Sequence, residues 1–158
     1  EYARAQSMAA GDPVIDPTIT NRSYKGKTIT ATNHTDLKLI LDTKAQMAGK
    51  PVIVSLALSN PSVVGEFEKE VNGIIASFGV QDQALLDIIS GAATPSGLLP
   101  VQMPANMKTV EEQKEDLPHD MECHVDSEGN KYDFSFGLNW KGVIKDNRTA
   151  KYKKQLKK

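Results

Sequence analysis

The feature that most constrains this chain is the run Pro51-Val-Ile-Val-Ser-Leu-Ala-Leu58, short, apolar and rich in β-branched residues. At eight residues it is far short of the roughly 18 needed to span a membrane, and β-branched side chains pack best on a pleated surface. A run without polar alternation predicts a strand covered on both faces, as in a parallel sheet. The flanks agree. Thr35 is placed to cap a helix carrying Leu37, Ile40, Leu41, Ala45 and Ala48 on one face, with Gly49 as its stop. On the other side Asn60 is a cap and Pro61 a first helical residue, so Val63, Val64, Phe67 and Val71 read as the buried stripe of a short helix.

The alternation continues downstream. Gly73–Phe78 reads as a second strand, and Asp82 as the N-cap of a helix to about Ser90 with Leu85, Ile88 and Ile89 inward and Gly91 as the stop. Thr94-Pro-Ser-Gly97 is a turn and Leu98–Met103 a further extended piece. Helices and strands in this order predict an α/β fold, a three-layer α/β sandwich around a mainly parallel sheet with right-handed crossovers. Three strands are few for such a sheet, which predicts that it is incomplete at its N-terminal side. Residues 1–34 hold many turn formers, Gly11-Asp-Pro13, Asp16-Pro17 and Lys25-Gly26 among them, and read as an ordered loop segment lining a site or a neighbouring unit.

Farther on, residues 106–116 read as a surface helix and Asp126–Asn130 as a turn. Strand alternation in Tyr132–Trp140 would put the Phe134 and Phe136 rings on one side, with Gly137 permitting a close approach. Lys141–Lys158 carry eight basic residues against one acidic, a local charge of +7 that leaves −8 on residues 1–140. With Tyr152 its only aromatic residue, this tail reads as a solvated helix or a frayed end rather than a nucleic-acid site. The whole chain, 158 residues at a net charge of −1, suits one domain and excludes binding of polyanions by global charge. Cys123 stands alone, so no internal disulfide forms. His119-Asp-Met-Glu-Cys-His124 gathers potential ligands, but the spacing fits no zinc pattern, and Asp126-x-Glu-x-Asn130 lacks most of a calcium loop. Neither metal nor cofactor is expected, and no dinucleotide or phosphate-loop motif supports a phosphate-binding doubly wound domain.

Taken in order, Lys50–Leu56, Ile75–Gly91, Pro95-Ser-Gly-Leu-Leu-Pro100 and Tyr132-Asp-Phe-Ser-Phe-Gly-Leu138 give the chain a further reading. It resembles the C-terminal α/β-sandwich domain of family 3 glycoside hydrolases, the β-glucosidase and β-xylosidase group, across about residues 50–140. The resemblance implies a portion of a larger retaining enzyme acting on terminal β-linked sugars. Two carboxyl groups about 5 to 5.5 Å apart do that chemistry. In the family the nucleophilic Asp lies on a separate (β/α)₈ barrel of about 250 residues, too large for this chain. The implied partners are that barrel and a β-linked glycoside, with no nucleic acid and no membrane span. The family leans toward a periplasmic or secreted location, and a first residue of Glu1 suggests a mature form or a piece of a longer chain.

The resemblance also points to one loop. Many relatives place a Glu proton donor in a Pro-Gly-x-Glu-Gly pattern between the second strand and the next helix, and Gln81 stands at that Glu's position. An amide does not titrate, which leaves Gln81 a substrate-binding role. Its neighbour Asp82 is the candidate acid/base, set against the plainer reading as a helix cap. The remaining alternatives are an acid/base upstream of Glu1 and a loop that only contacts substrate. The competing function is a non-catalytic α/β module that binds carbohydrate or a protein.

Overall fold

The computed structural model describes residues 34–112 and 119–155. The expected loop segment before residue 34 lies outside them. The described chain is an α/β structure whose elements run α1 (His34–Gln46), β1 (Ile53–Ala57), a 3₁₀ turn (Glu68–Glu70), β2 (Gly73–Ser77), α2 (Asp82–Ser90), α3 (Met107–Glu112), β3 (Leu138–Asn139), β4 (Gly142–Val143) and α4 (Asn147–Gln155). β1 and β2 pair in parallel from Ile53 opposite Gly73 to Ala57 opposite Ser77, while β3 and β4 form a short antiparallel hairpin.

A single side chain ties the start of the parallel pair together. Asn72 Oδ1 accepts from the Val52 amide at 2.9 Å and from Lys44 Nζ at 3.3 Å, and the Asn72 amide donates to the Val52 carbonyl at 2.8 Å. The end of α1 and the entries to both strands therefore meet at one amide group, which fixes the register before the ladder begins. At the far end Ser77 Oγ donates to the Leu56 carbonyl at 3.2 Å.

The core is built on Val54, Val64, Phe67 and Met103, with Leu37 and Ile40 of α1, Leu56, Leu58, Ile74, Leu99 and Tyr132 packed around them. Burial of each such side chain is worth roughly 1.5 to 3 kcal/mol. All of this lies on one face of β1. Val54 is buried but Ile53 is 47% exposed, so the strand alternates instead of being covered on both faces, and its second face is open among the described residues. α1 likewise sends Leu37 and Ile40 inward, while Leu41, Ala45 and Ala48 are exposed. Thr35 lies within α1 rather than at its cap.

Three more expectations are corrected. Residues 61–71 do not form an α-helix: Val64 and Phe67 are buried as expected, but from a turn in which the Phe67 and Glu68 amides donate to the Val64 carbonyl at 3.1 and 2.9 Å. Gly65 and the β-branched pair Val63-Val64 are poor helix formers, so only the single 3₁₀ turn follows. Leu98–Met103 bends at Pro100 and Val101 and does not join the parallel sheet. It pairs irregularly with the last third of the chain, through Leu99 N to Phe136 O at 2.7 Å, Met103 N to Tyr132 O at 3.0 Å and His124 N to Met103 O at 2.9 Å. Pro100 and Pro104 each lack an amide proton, which interrupts a continuous ladder.

The third concerns the aromatic stretch. Ser135 takes a left-handed backbone (φ +67°) that breaks strand alternation. Phe136 consequently stacks on Tyr132 with ring centres 5.1 Å apart, whereas Phe134 packs edge-on against Tyr152 of α4, also at 5.1 Å. Within the basic tail, Asn147–Gln155 form a helix that docks through Tyr152, and Thr149 and Ile144 are buried. Residues 107–112 are helical as expected, and 113–118 lie outside the described residues.

Gly137 shows the close approach anticipated for it. A Cβ there would sit 2.2 Å from the Gly97 carbonyl oxygen, whereas one on Gly97 would meet nothing within 4 Å. Gly137→Ala should therefore cost about 1 to 3 kcal/mol through overpacking, while Gly97→Ala should stay within about 0.5 kcal/mol of wild type. Urea midpoints of the two variants check this, and equal stability would contradict the packing described.

Candidate functional site

Parallel strands present their carboxyl ends to a common edge, and the loops leaving that edge are where open α/β sheets place ligands. Here the loop runs from Ser77, the last residue of β2, to the start of α2. Gly79 has φ +82°, a left-handed conformation that turns the chain after Phe78 at little steric cost. Gln81 then adopts an extended backbone (φ −73°, ψ 147°) and occupies the N-cap of α2 without a side-chain capping bond, although its carbonyl accepts from the Ala84 amide at 3.0 Å.

The cap assignment read from the sequence thus moves by one residue. Asp82 is the first residue inside the helix, not its cap, because the extended ψ of Gln81 already sets the helical path. In the first turn its carboxylate complements the positive end of the helix dipole. Gln81 and Asp82 are adjacent and exposed, and neither side chain makes a hydrogen bond among the described residues. Gln83 and Asp87, one turn further on, instead pair with each other at 2.7 Å. Arranged in this way, the loop offers an amide and a carboxylate side by side, able to bind hydroxyl groups and, through the carboxylate, to move a proton.

Two further polar clusters lie away from this loop. In one, Gln102 Nε2 donates to Asp133 Oδ1 at 2.7 Å and to Cys123 Sγ at 3.2 Å, and Asp133 also accepts from the Phe134 amide and pairs with Lys131. Burial alone would raise the Asp133 carboxyl, but the bonds from Gln102, the Phe134 amide and Lys131 outweigh it and hold the group below its ordinary range. For Cys123, burial and then the Asp133 charge act together and push the thiol up to about 11. The cluster joins Leu98–Met103 to the Tyr132 segment and is structural.

In the other cluster His124 Nε2 faces Glu68 Oε2 at 3.6 Å; both atoms are buried, and neither has a hydrogen bond among the described residues. The Tyr132 ring lies edge-on to His124 at 5.2 Å, and burial, with the charges of Asp126 and Glu68, raises the Tyr132 hydroxyl far above its usual range. His119 packs against Phe134 instead, 6.3 Å between ring centres, so His119, Cys123 and His124 diverge. Among the described residues no group of three His, Cys, Asp or Glu side chains could hold a metal ion. Asp126 is spent on its own turn, accepting from the Glu128 and Asn130 amides and from the Asn130 side chain. Sequence reasoning missed the Glu68–His124 pair, since no local spacing links a 3₁₀ turn to a distant loop.

The model of the glycosyl hydrolase family 3 C-terminal domain matches residues 10–140. The chain belongs to this family. Its curated relatives include beta-glucosidase C of Emericella nidulans, 40% identical over 75 residues, which are 48% of this chain and 12% of the relative. Probable beta-glucosidase C of Aspergillus oryzae is 33% identical over 90 residues, 57% of this chain and 13% of the relative. The periplasmic beta-glucosidase/beta-xylosidase of Dickeya chrysanthemi is 26% identical over 100 residues, 63% and 15% respectively. The matches thus span well under a fifth of these relatives. No solved structure matches the chain. No helix among the described residues is long and apolar enough to cross a membrane.

The Cys123 environment gives a direct test. A thiol moved from 9.0 to about 11 has about a hundredfold less thiolate at pH 8, so iodoacetamide should alkylate the folded chain about a hundredfold more slowly than the urea-unfolded chain. Comparable rates would contradict the burial and the Asp133 contact.

Proposed function

We propose that this domain completes the sugar-binding pocket of a β-glycosidase, β-glucosidase-like in its preference for terminal β-linked sugars, whose (β/α)₈ barrel supplies the nucleophilic Asp. The observation that carries this reading is the exposed Gln81-Asp82 pair at the carboxyl end of β2, with no hydrogen bond holding either side chain among the described residues. In this reading Asp82 acts as acid/base and Gln81 binds substrate hydroxyls. A carboxyl group closed against an apolar wall is favoured as a proton donor, because loss of water disfavours its charge, and docking of the barrel provides such a wall. The nucleophile attacks the anomeric carbon while Asp82 protonates the departing oxygen; the same group then deprotonates the water that releases the sugar.

Residues 1–34 fit this scheme as pocket wall or interdomain surface, because long loops are ordered by what they pack against. A periplasmic or secreted location is the matching proposal for the compartment, since one relative is named a periplasmic enzyme. The second reading is a non-catalytic carbohydrate- or protein-binding module, and one observation favours it: Gln81 stands where the resemblance places the proton-donating Glu.

Two measurements separate the readings. In the complete enzyme Asp82→Asn should slow glycosides with poor leaving groups by about 10²- to 10⁴-fold and spare activated aryl glycosides, which need little protonation. Equal damage to both classes, or none to either, would end the acid role. The 158-residue chain alone should release no aglycone from an aryl β-glucoside above the buffer rate; turnover by it would show that both carboxyl groups lie within this chain.

A further inference from the structure

The Glu68–His124 pair lies apart from the Gln81-Asp82 loop and takes no part in the chemistry above. His124 is 7% exposed, and its Nε2 faces a carboxylate oxygen. A bare lone pair on Nε2 would face the lone pairs of Glu68, so a proton sits on Nε2 toward the carboxylate, and Nδ1 is the ring nitrogen left to meet a further partner. Glu68 is itself held from the other side, its Oε1 accepting from Ser127 Oγ at 3.2 Å.

The other nitrogen has an opening. Nδ1 makes no hydrogen bond among the described residues, and Gly65 lies over it: a Cβ at that position would come within 3.3 Å of Nδ1 and 3.4 Å of the Ala105 carbonyl oxygen. Gly65, Ala105 and His124 all line one open depression of about 440 Å³. Val63 and Met107 give that depression apolar walls, and Glu66 and Lys69 stand at it as exposed charges of opposite sign.

From this lining we infer that the depression is a binding site for a small polyhydroxylated ring, a cyclic polyol or monosaccharide, anchored by a hydroxyl that donates to His124 Nδ1. A hydroxyl is the group that suits every polar partner present, because it donates to Nδ1 and Glu66 and accepts from Lys69. A free anion would meet Glu66, and a cation Lys69. The C–H faces of such a ring suit Val63 and Met107. The missing side chain at residue 65 is what admits the ring to the nitrogen. This inference does not rest on the role proposed for Asp82.

The test uses the full chain labelled with ¹⁵N-histidine and titrated with myo-inositol, a ring polyol with no glycosidic bond to cleave. The His124 Nδ1 resonance should move saturably as inositol is added. Gly65→Ala should abolish the movement while leaving the melting temperature close to wild type, because its methyl group covers Nδ1. Lys69→Ala, at an exposed position, should weaken the apparent affinity about tenfold, the loss of one charged hydrogen bond. Asp82→Asn should leave the response intact, which separates failure of this site from failure of the loop reading. Absence of a saturable Nδ1 response, or a response that survives undiminished in both Gly65→Ala and Lys69→Ala, would overturn the proposal.

Discussion

The parallel pairing of β1 with β2 is the constraint on which the other features depend. Five residue pairs in register, from Ile53 with Gly73 to Ala57 with Ser77, set where β2 ends and therefore where the chain turns outward. Because Asn72 bonds the Val52 amide and Lys44 as well as following the 3₁₀ turn, the same register also fixes α1 and the Glu68 segment. A slip of one residue would move Val54 off the core face and carry Gln81 and Asp82 away from the sheet edge. The exposed loop is thus held in place by contacts at the opposite end of the strands.

The second half of the described chain is organised by different means. Regular ladders are few, and irregular backbone bonds, the Gly97–Gly137 approach and stacked aromatic rings replace them. This explains why buried polar groups collect there. Irregular segments bring side chains such as Gln102, Cys123 and Asp133 together without the spacing of a helix or strand, and each buried group must then find a partner. Among the described residues, Glu68 and His124 are the pair in which this satisfaction is incomplete, with their buried atoms 3.6 Å apart.

Local chemistry made several elements readable. The β-branched run, Gly73–Ser77, the helix ended by Gly91 and the Asp126–Asn130 turn each follow from residues within one short window. The candidate loop was legible through its position between a strand and a helix, but the capping role was not, since one extended ψ at Gln81 decides which residue enters the helix first. Val64 and Phe67 were legible as buried positions although their backbone was not: apolar side chains reach the core from a turn as readily as from a helix, and Gly65 tips the balance to the turn. The different partners of Phe134 and Phe136 could not be read from alternation, because Ser135 takes a left-handed backbone that a serine seldom adopts.

By itself the sequence determined the α/β class, the positions of β1, β2 and α2, and the family, all of which are properties of residue type and local spacing. Tertiary structure decided that, among the described residues, one face of β1 is packed and the other open, that the basic C-terminal segment docks through Tyr152, and that His124 meets Glu68 beneath Gly65. These depend on which distant segments approach one another. That approach is set by packing the whole core at once, a constraint that no window along the chain contains.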